Sequence, residues 1–185
     1  MPERDGDDGD DSGDSVGGDD RTGDGGDREA LTHVADGEAS MVDVGDKPET
    51  ARRAVARGRL ALSPASVAAI RADDVEKGDV LATARVGAIQ AVKHTWETIP
   101  LCHQIPITNV DTEFALDDDA LTLTVAVETT GKTGCEMEAL EGVTTGLNVA
   151  FDMVKAVEKD ADGEYPTAAI EAVRVVEKTK RPLTD

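Results

Sequence analysis

The chain has 185 residues, with 39 acidic against 19 basic side chains and a formal net charge of −20. This length suits one domain with a tail, and the acidity argues against broad electrostatic binding to nucleic acid. No apolar run approaches the roughly 18 residues that cross a bilayer, and two cysteines are too few for a disulfide framework. We therefore expect a protein with no membrane partner in a reduced, cytoplasmic setting.

The N-terminal segment differs from the rest of the chain in composition. Residues 1–30 contain 12 acidic and 3 basic residues, and residues 1–27 are rich in Asp and Gly with almost nothing apolar. A segment of this composition buries too little apolar surface to offset the conformational entropy lost on folding. We predict an acidic disordered tail over residues 1–35 and a folded domain over residues 36–180. The tail is either a solvating extension, which the composition favours, or a partner-binding arm.

The first half of the domain predicts a strand and then two helices. Arg52–Leu62 has the apolar residues of a strand. Ser63 and Pro64 suit the N-cap and the first position of a short helix. Val80–Ile99 is rich in Ala with apolar residues at helical spacing, which predicts a long helix that ends before a proline.

The second half predicts a hairpin, a second long helix and a last strand. Ile105–Leu116 and Leu121–Val127 have the pattern of strands, joined by a turn at Asp117–Asp119. Glu136–Lys159 predicts a helix, and Ile170–Val176 a final strand. The order βααββαβ indicates an α+β fold in which two long helices cover a mainly antiparallel sheet. Since aromatic residues are only 2% of the chain, we expect a core of Ala, Val, Leu and Ile.

The last helix is predicted to have an apolar stripe and a polar face. The stripe consists of Met137, Leu140, Val143, Leu147, Phe151, Val154 and Val157. The polar face consists of Glu138, Glu141, Thr145, Asn148, Asp152, Lys155 and Lys159. On that face Asp152 and Lys155 are one turn apart, and a carboxylate beside an ammonium can act as an acid/base pair. The same spacing fits an ordinary surface ion pair, which the helix alone favours.

Two loops carry weaker chemical signals. Leu101, Cys102 and His103 follow the first long helix, and His103 suits a proton donor or a phosphate contact, or is merely exposed. Gly131-Lys132-Thr133-Gly134 precedes the second long helix, where free N–H groups suit a phosphate. This loop lacks the spacing of a Walker A motif. Neither loop alone indicates a function.

Taken together, five blocks resemble the cyclic pyranopterin monophosphate synthase family (molybdenum cofactor biosynthesis protein C). They occur in order as Met41-Val42-Asp43-Val44, Lys77-Gly78-Asp79-Val80 with Ala82-Thr83-Ala84-Arg85, Ile99-Pro100-Leu101-Cys102-His103, Gly131-Lys132-Thr133-Gly134 with Glu136-Met137-Glu138-Ala139-Leu140, and Asp152-Met153 with Lys155-Ala156-Val157. The resemblance covers about residues 38–178. It implies a ferredoxin-like subunit and a homohexamer, a trimer of dimers with active sites at subunit interfaces.

The resemblance also implies the reaction. The substrate would be 3′,8-cyclo-7,8-dihydroguanosine 5′-triphosphate from the preceding radical enzyme, and the products cyclic pyranopterin monophosphate and diphosphate. No cofactor is implied, although Mg²⁺ could assist, and we see no dedicated metal cage. The implied catalytic residues are Asp152, Lys155 and Lys77. Substrate-binding roles carry over to Leu101, Cys102, His103, Met137 and Glu138, and matching blocks suggest phosphate binding by Arg85 and Lys132.

One departure leaves alternatives open. Many family members end in a Gly-Gly-Lys-Ser-Gly stretch, whereas here Glu177 and Lys178 are followed by Thr179-Lys180-Arg181-Pro182. Lys178, Lys180 or Arg181 could supply the missing charge. The altered C-terminus also fits an inactive ferredoxin-like ligand-binding subunit. A nucleotide-binding phosphotransferase is a further alternative, which the lack of recognisable metal-binding carboxylates disfavours.

Overall fold

A computed structural model describes residues 34–35 and 38–183. The predicted tail, residues 1–35, falls outside this description except for its last two residues. These form β1 (Val34–Ala35), which pairs antiparallel with β2 (Glu38–Ala39) in a small separate sheet. The tail and its boundary with the domain stay a prediction.

The remaining elements follow the predicted order βααββαβ. They are β3 (Thr50–Ala61), α1 (Pro64–Arg71), α2 (Val80–Thr98), β4 (Ile107–Leu116), β5 (Ala120–Gly131), α3 (Glu136–Glu158) and β6 (Ala169–Pro182). The four long strands form one antiparallel sheet in the order β4-β5-β3-β6. Helix α3 packs on β3 and β5, and α2 packs beside α3. The predicted α+β fold is therefore confirmed, with ferredoxin-like strand order.

The helix ends follow from local capping. The side chain of Ser63 accepts a hydrogen bond from the Ser66 N–H at 3.2 Å, and Pro64 occupies the first helical position of α1, as predicted. The side chain of Asp79 caps α2 by accepting from the Ala82 N–H at 2.9 Å. Helix α2 ends at Thr98, two residues before Pro100, because proline supplies no N–H and clashes with the preceding turn.

The core lies between the sheet and the two long helices. It consists mainly of small and branched aliphatic side chains, as the low aromatic content predicts. Fully buried examples are Leu60, Leu121, Leu123, Val125, Val143, Leu147 and Val154. Such a core stabilises the domain through the removal of apolar surface from water.

The predicted apolar stripe of α3 is shifted around the helix. Met137 and Val157 are 39% exposed, whereas the small residues Gly142 and Gly146 are buried. A Cβ at Gly146 would lie 2.5 Å from Leu123 Cδ2 and 3.0 Å from Ala88 Cβ. The interface with α2 and the sheet therefore depends on residues that lack bulk, which a search for large apolar side chains overlooks.

Strand β6 is longer than predicted. It continues past Val176 to Pro182, with Glu177 opposite Val55 and Arg181 opposite Ala51 on β3. Charged side chains suit an edge strand, where one side of the backbone is unpaired and the side chains reach water. The last residues of the strand are mostly charged, so a search for alternating apolar residues does not detect this part of β6. The extension places several basic residues beside α3.

Candidate active site

Lys77, Asp152 and Lys155 meet in one ion-paired group, which we call the lysine–aspartate cluster. Lys77 Nζ lies 2.6 Å from Asp152 Oδ2 and donates to the Asp152 carbonyl oxygen at the same distance. Lys155 Nζ lies 2.7 Å from Asp152 Oδ1. Lys77 comes from the turn before α2, where Gly78 has a φ of 97°. The structure thus brings together the three residues that the resemblance names as catalytic.

The two ammonium groups set the charge state of the carboxylate. Hydrogen bonds from Lys155 and then Lys77 lower the pKa of Asp152 to about 2. The hydrogen bond with Asp152 raises the pKa of Lys155 in turn. At neutral pH the cluster is therefore an ion pair of an ionised carboxylate and a protonated lysine, with Lys77 on the other carboxylate oxygen. The three side chains are 42–56% exposed, so solvent and a ligand can reach them.

A second group of predicted residues lies at the start of α3. Glu138 is buried, and burial raises its pKa to about 7. Burial and then the charge of Glu138 raise the pKa of Cys102. Burial raises the pKa of Cys135 to about 11, so this thiol is inert at neutral pH. Both cysteines are free.

Glu138 does not share the solvated face of Asp152, contrary to the prediction from helical spacing. Its side chain is 4% exposed, whereas that of Asp152 is 56% exposed. Asp152 is 14 residues further along α3, which is about 21 Å at 1.5 Å per residue. One chain therefore carries two separate groups of predicted site residues, one at each end of α3.

The other predicted site residues lie outside the lysine–aspartate cluster. Leu101 and Met137 are 47% and 39% exposed, and His103 is half-buried. Lys132 Nζ donates to the Gly45 carbonyl oxygen at 2.6 Å, which ties the loop before α3 to the chain before β3. Arg85 Nε donates to Thr112 Oγ1 at 3.1 Å, and its guanidinium lies 5.6 Å from the ring centroid of Phe114. None of these contacts joins Arg85 or Lys132 to the lysine–aspartate cluster.

Sequence reasoning named Lys178 and Lys180 as alternatives but missed the basic groove beside the start of α3 that they line with Arg52 and Arg53. This groove, about 230 Å³ in volume, is lined by Arg52, Arg53, Gly134, Cys135, Glu136, Lys178, Thr179 and Lys180. Arg52 Nη2 donates to the Lys132 carbonyl oxygen at 3.0 Å, and Lys178 Nζ lies 3.3 Å from Glu136 Oε1. Among the C-terminal basic residues, Lys178 and Lys180 line this groove, whereas Arg181 lines a neighbouring one. The alternation of Lys178 and Lys180 along a strand was the available signal.

The described residues show no metal cage and no membrane span. Within residues 38–183, no three His, Cys, Asp or Glu side chains come together as metal ligands would. None of the helices in the same part of the chain is both long enough and apolar enough to cross a bilayer.

Comparison with known proteins identifies the family. Residues 41–181 match the MoaC family, which is more than two thirds of the chain and contains every predicted site residue. The chain belongs to the MoaC family. The resemblance that the five sequence blocks indicate is thereby confirmed.

Curated members of the MoaC family are similar to the chain over most of their length. A protein of Natronomonas pharaonis is 75% identical over 154 residues, covering 83% of this chain and 96% of the relative. One of Halobacterium salinarum is 72% identical over 156 residues, covering 84% and 96%. Both are named probable cyclic pyranopterin monophosphate synthase. A relative from Methanothermobacter thermautotrophicus, 53% identical over 153 residues with 83% and 96% covered, is named a probable accessory protein of that synthase.

The buried carboxyl of Glu138 predicts a pH-dependent stability of this MoaC-family chain. Folding raises its pKa from 4.5 to about 7, so the folded state binds the extra proton between these values. The free energy of unfolding should therefore be highest below about pH 4.5, decrease by about 3 kcal/mol between pH 4.5 and pH 7, and level off above pH 7. Urea unfolding at fixed protein concentration from pH 5 to 8 measures this decrease.

Glu138→Gln is the test variant, because glutamine keeps the shape and does not titrate. Its free energy of unfolding should lose the component that depends on pH in this window. Glu136→Gln is the matched control, since Glu136 lies one half-turn away and pairs with Lys178. An identical pH profile in wild type and Glu138→Gln would show that Glu138 does not titrate near neutrality.

Proposed function

We propose that this chain is a cyclic pyranopterin monophosphate synthase of molybdenum cofactor biosynthesis. It would convert 3′,8-cyclo-7,8-dihydroguanosine 5′-triphosphate to cyclic pyranopterin monophosphate and diphosphate. The observation that carries the proposal is the lysine–aspartate cluster, in which Lys77 reaches Asp152 across 75 positions of sequence at 2.6 Å. A shared catalytic site requires contact between family motifs that are distant in the sequence. A chance surface ion pair between two residues of one helix does not bring such motifs together.

The cluster supplies the proton transfers that the ring chemistry needs. Ring opening and pyranopterin closure move protons on nitrogen and carbon without a redox step. Asp152 is ionised and Lys155 is protonated within the ion pair, so a substrate group that replaces one lysine beside the carboxylate would weaken the pairing and let these groups exchange protons. Lys77 donates one hydrogen bond to the carboxylate and one to the backbone carbonyl oxygen of Asp152, which fixes the position of this residue. Glu138, with a pKa of about 7, is a second group that exchanges a proton near neutral pH.

The basic groove is the proposed binding site for the triphosphate. Arg52, Lys178 and Lys180 place cations there, and positive charge stabilises a departing diphosphate. His103, in the loop after α2, is a further candidate contact for the phosphates. Phosphate binding by Arg85 and Lys132 remains a prediction with less support, because Lys132 is bonded to Gly45 and Arg85 to Thr112. Any Mg²⁺ would enter with the substrate's phosphates rather than in a resident site.

A complete site on this proposal needs two chains. The cluster and the residues at the start of α3 are about 21 Å apart along one helix, which exceeds what the reacting part of one substrate spans. A symmetric contact between copies can bring the cluster of one chain to the groove of the next. We therefore propose that the chain functions as the homohexamer that the family resemblance implies, a trimer of dimers with interfacial sites. We place it in the cytoplasm, in keeping with its two free cysteines.

Incubation with the substrate distinguishes a synthase from an accessory protein. The purified chain should release diphosphate from the cyclic dihydroguanosine triphosphate and form the cyclic monophosphate product, detected by phosphate assay and mass spectrometry. GTP is the matched control and should release none. Binding of the substrate without diphosphate release would favour the non-catalytic alternative, which the name of the Methanothermobacter thermautotrophicus relative also raises.

A further inference from the structure

Glu158, the last residue of α3, makes a single hydrogen bond in a buried position. Its side chain is buried, and Oε1 accepts a hydrogen bond from the Ser63 N–H at 2.6 Å. Among the described residues Oε2 has no partner. Burying a carboxylate with an unpartnered oxygen opposes folding, so an apolar side chain or an amide would be expected if packing were its only role. The hydrogen bond from the Ser63 N–H is therefore the contact that a carboxylate at this position provides.

Ser63 begins the segment that ends in the catalytic lysine. It is the N-cap of α1, and α1 leads through a turn to Lys77. Within α1 only Ser66 and Val67 are buried, and Arg71 at its end donates to the Leu116 and Asp117 carbonyl oxygens. The segment 63–77 is in addition attached to α3 at both ends, by Glu158 at Ser63 and by Asp152 at Lys77. The two attachment points on α3 are six residues apart.

We propose that Glu158 is a positioning residue for Lys77, and that its bond to the Ser63 N–H fixes α1 so that the Lys77 ammonium reaches Asp152. This inference rests on the proposed function only in that Lys77 matters for turnover. The position of Lys77 itself is measurable without any substrate. A free Ser63 N–H would let α1 shift, and a displacement of about 1 Å is enough to weaken a catalytic contact.

Two pairs of variants isolate this hydrogen bond. Glu158→Gln keeps an acceptor oxygen in the same shape, whereas Glu158→Leu removes the acceptor. Ser63→Ala removes the cap hydroxyl and keeps the N–H, whereas Ser63→Pro removes both. Proline suits this position because Ser63 has a φ of −66° and a ψ of 152°. Ser63→Pro also leaves the buried side chain unchanged, so it carries the test if Glu158→Leu does not fold.

The readouts are the reactivity of Lys77 and the kinetic constants. Acetic anhydride acetylates amines, and two contacts hold Lys77 Nζ against the carbonyl and carboxylate oxygens of Asp152. Loss of these contacts should free the amine and speed acetylation of Lys77, quantified by mass spectrometry against exposed Lys93. Relative to Lys93, we expect an increase of about threefold in Glu158→Leu and Ser63→Pro, with kcat lowered about tenfold. Glu158→Gln and Ser63→Ala should stay within about twofold of wild type. All measurements are made well below each variant's unfolding temperature.

Several outcomes would overturn the inference. Unchanged Lys77 reactivity in a folded Glu158→Leu or Ser63→Pro variant would show that the bond does not position the lysine. Equal increases at Lys77 and Lys93 would indicate general loosening rather than positioning. Loss of kcat in Glu158→Gln equal to that in Glu158→Leu would assign the effect to charge. A selective increase at Lys77 in a chain that releases no diphosphate would support the positioning while refuting the proposed function.

Discussion

Asp152→Asn is expected to lower kcat/KM for diphosphate release by about 10³-fold while the fold and the oligomer stay intact. Asparagine has the shape of aspartate but accepts protons poorly, and it leaves the ammonium groups of Lys77 and Lys155 without their counter-charge. Steady-state kinetics with the cyclic dihydroguanosine triphosphate measure the change. Because the cluster is exposed, its ion pairs add little to stability, and the unfolding temperature should move by only a few degrees.

Two controls separate the cluster from the general charge of the surface. Asp162→Asn removes a carboxylate from the loop after α3, outside the cluster, and should leave turnover unchanged. Lys155→Gln should lose activity as Asp152→Asn does, whereas Lys93→Gln on α2 should not. Turnover by Asp152→Asn within about tenfold of wild type would refute an acid/base role for the cluster.

The fold was largely predictable because its signals are local. Helical spacing, Ser63 before Pro64, and Pro100 after α2 each act over a few residues, so the order of elements and most of their ends follow from the printed sequence. The errors arose where packing rather than local preference decides. Gly142 and Gly146 lie on the face of α3 that packs against β5. A larger side chain at either position would clash with Val125 or Leu123 of that strand, which the sequence of the helix alone does not show.

The candidate site was only partly predictable, for the same physical reason. Spacing on α3 paired Asp152 with Lys155 but could not show that Lys77 completes the group, since that contact depends on the path of the chain through α1. The family resemblance supplied Lys77 instead. Helical periodicity placed Glu138 on a solvated face, because the spacing in one helix does not show which of its residues the rest of the protein buries. The basic groove needs β6 beside α3, which only the folded chain shows.

A mixture of two inactive variants is expected to regain activity, because the proposed site takes one part from each of two chains. One variant is Asp152→Asn, which lacks the cluster. The other is the double variant Lys178→Ala and Lys180→Ala, which lacks cations of the groove. In oligomers that contain both chains at random, about a quarter of the interfaces join an intact cluster to an intact groove. Diphosphate release should rise from near zero to about that fraction of wild type.

The decisive control pairs two defects in the same part of the site. Lys77→Ala and Asp152→Asn both damage the cluster, which each chain builds from its own residues. Mixed oligomers of these two variants therefore contain no intact cluster and should stay inactive. Co-expression with two different affinity tags and sequential purification yields the mixed oligomers for both pairs. A site shared across the interface must regain activity when each chain supplies the part that the other lacks. Absence of diphosphate release by verified mixed oligomers of the first pair would therefore show that the cluster and the groove do not form one site.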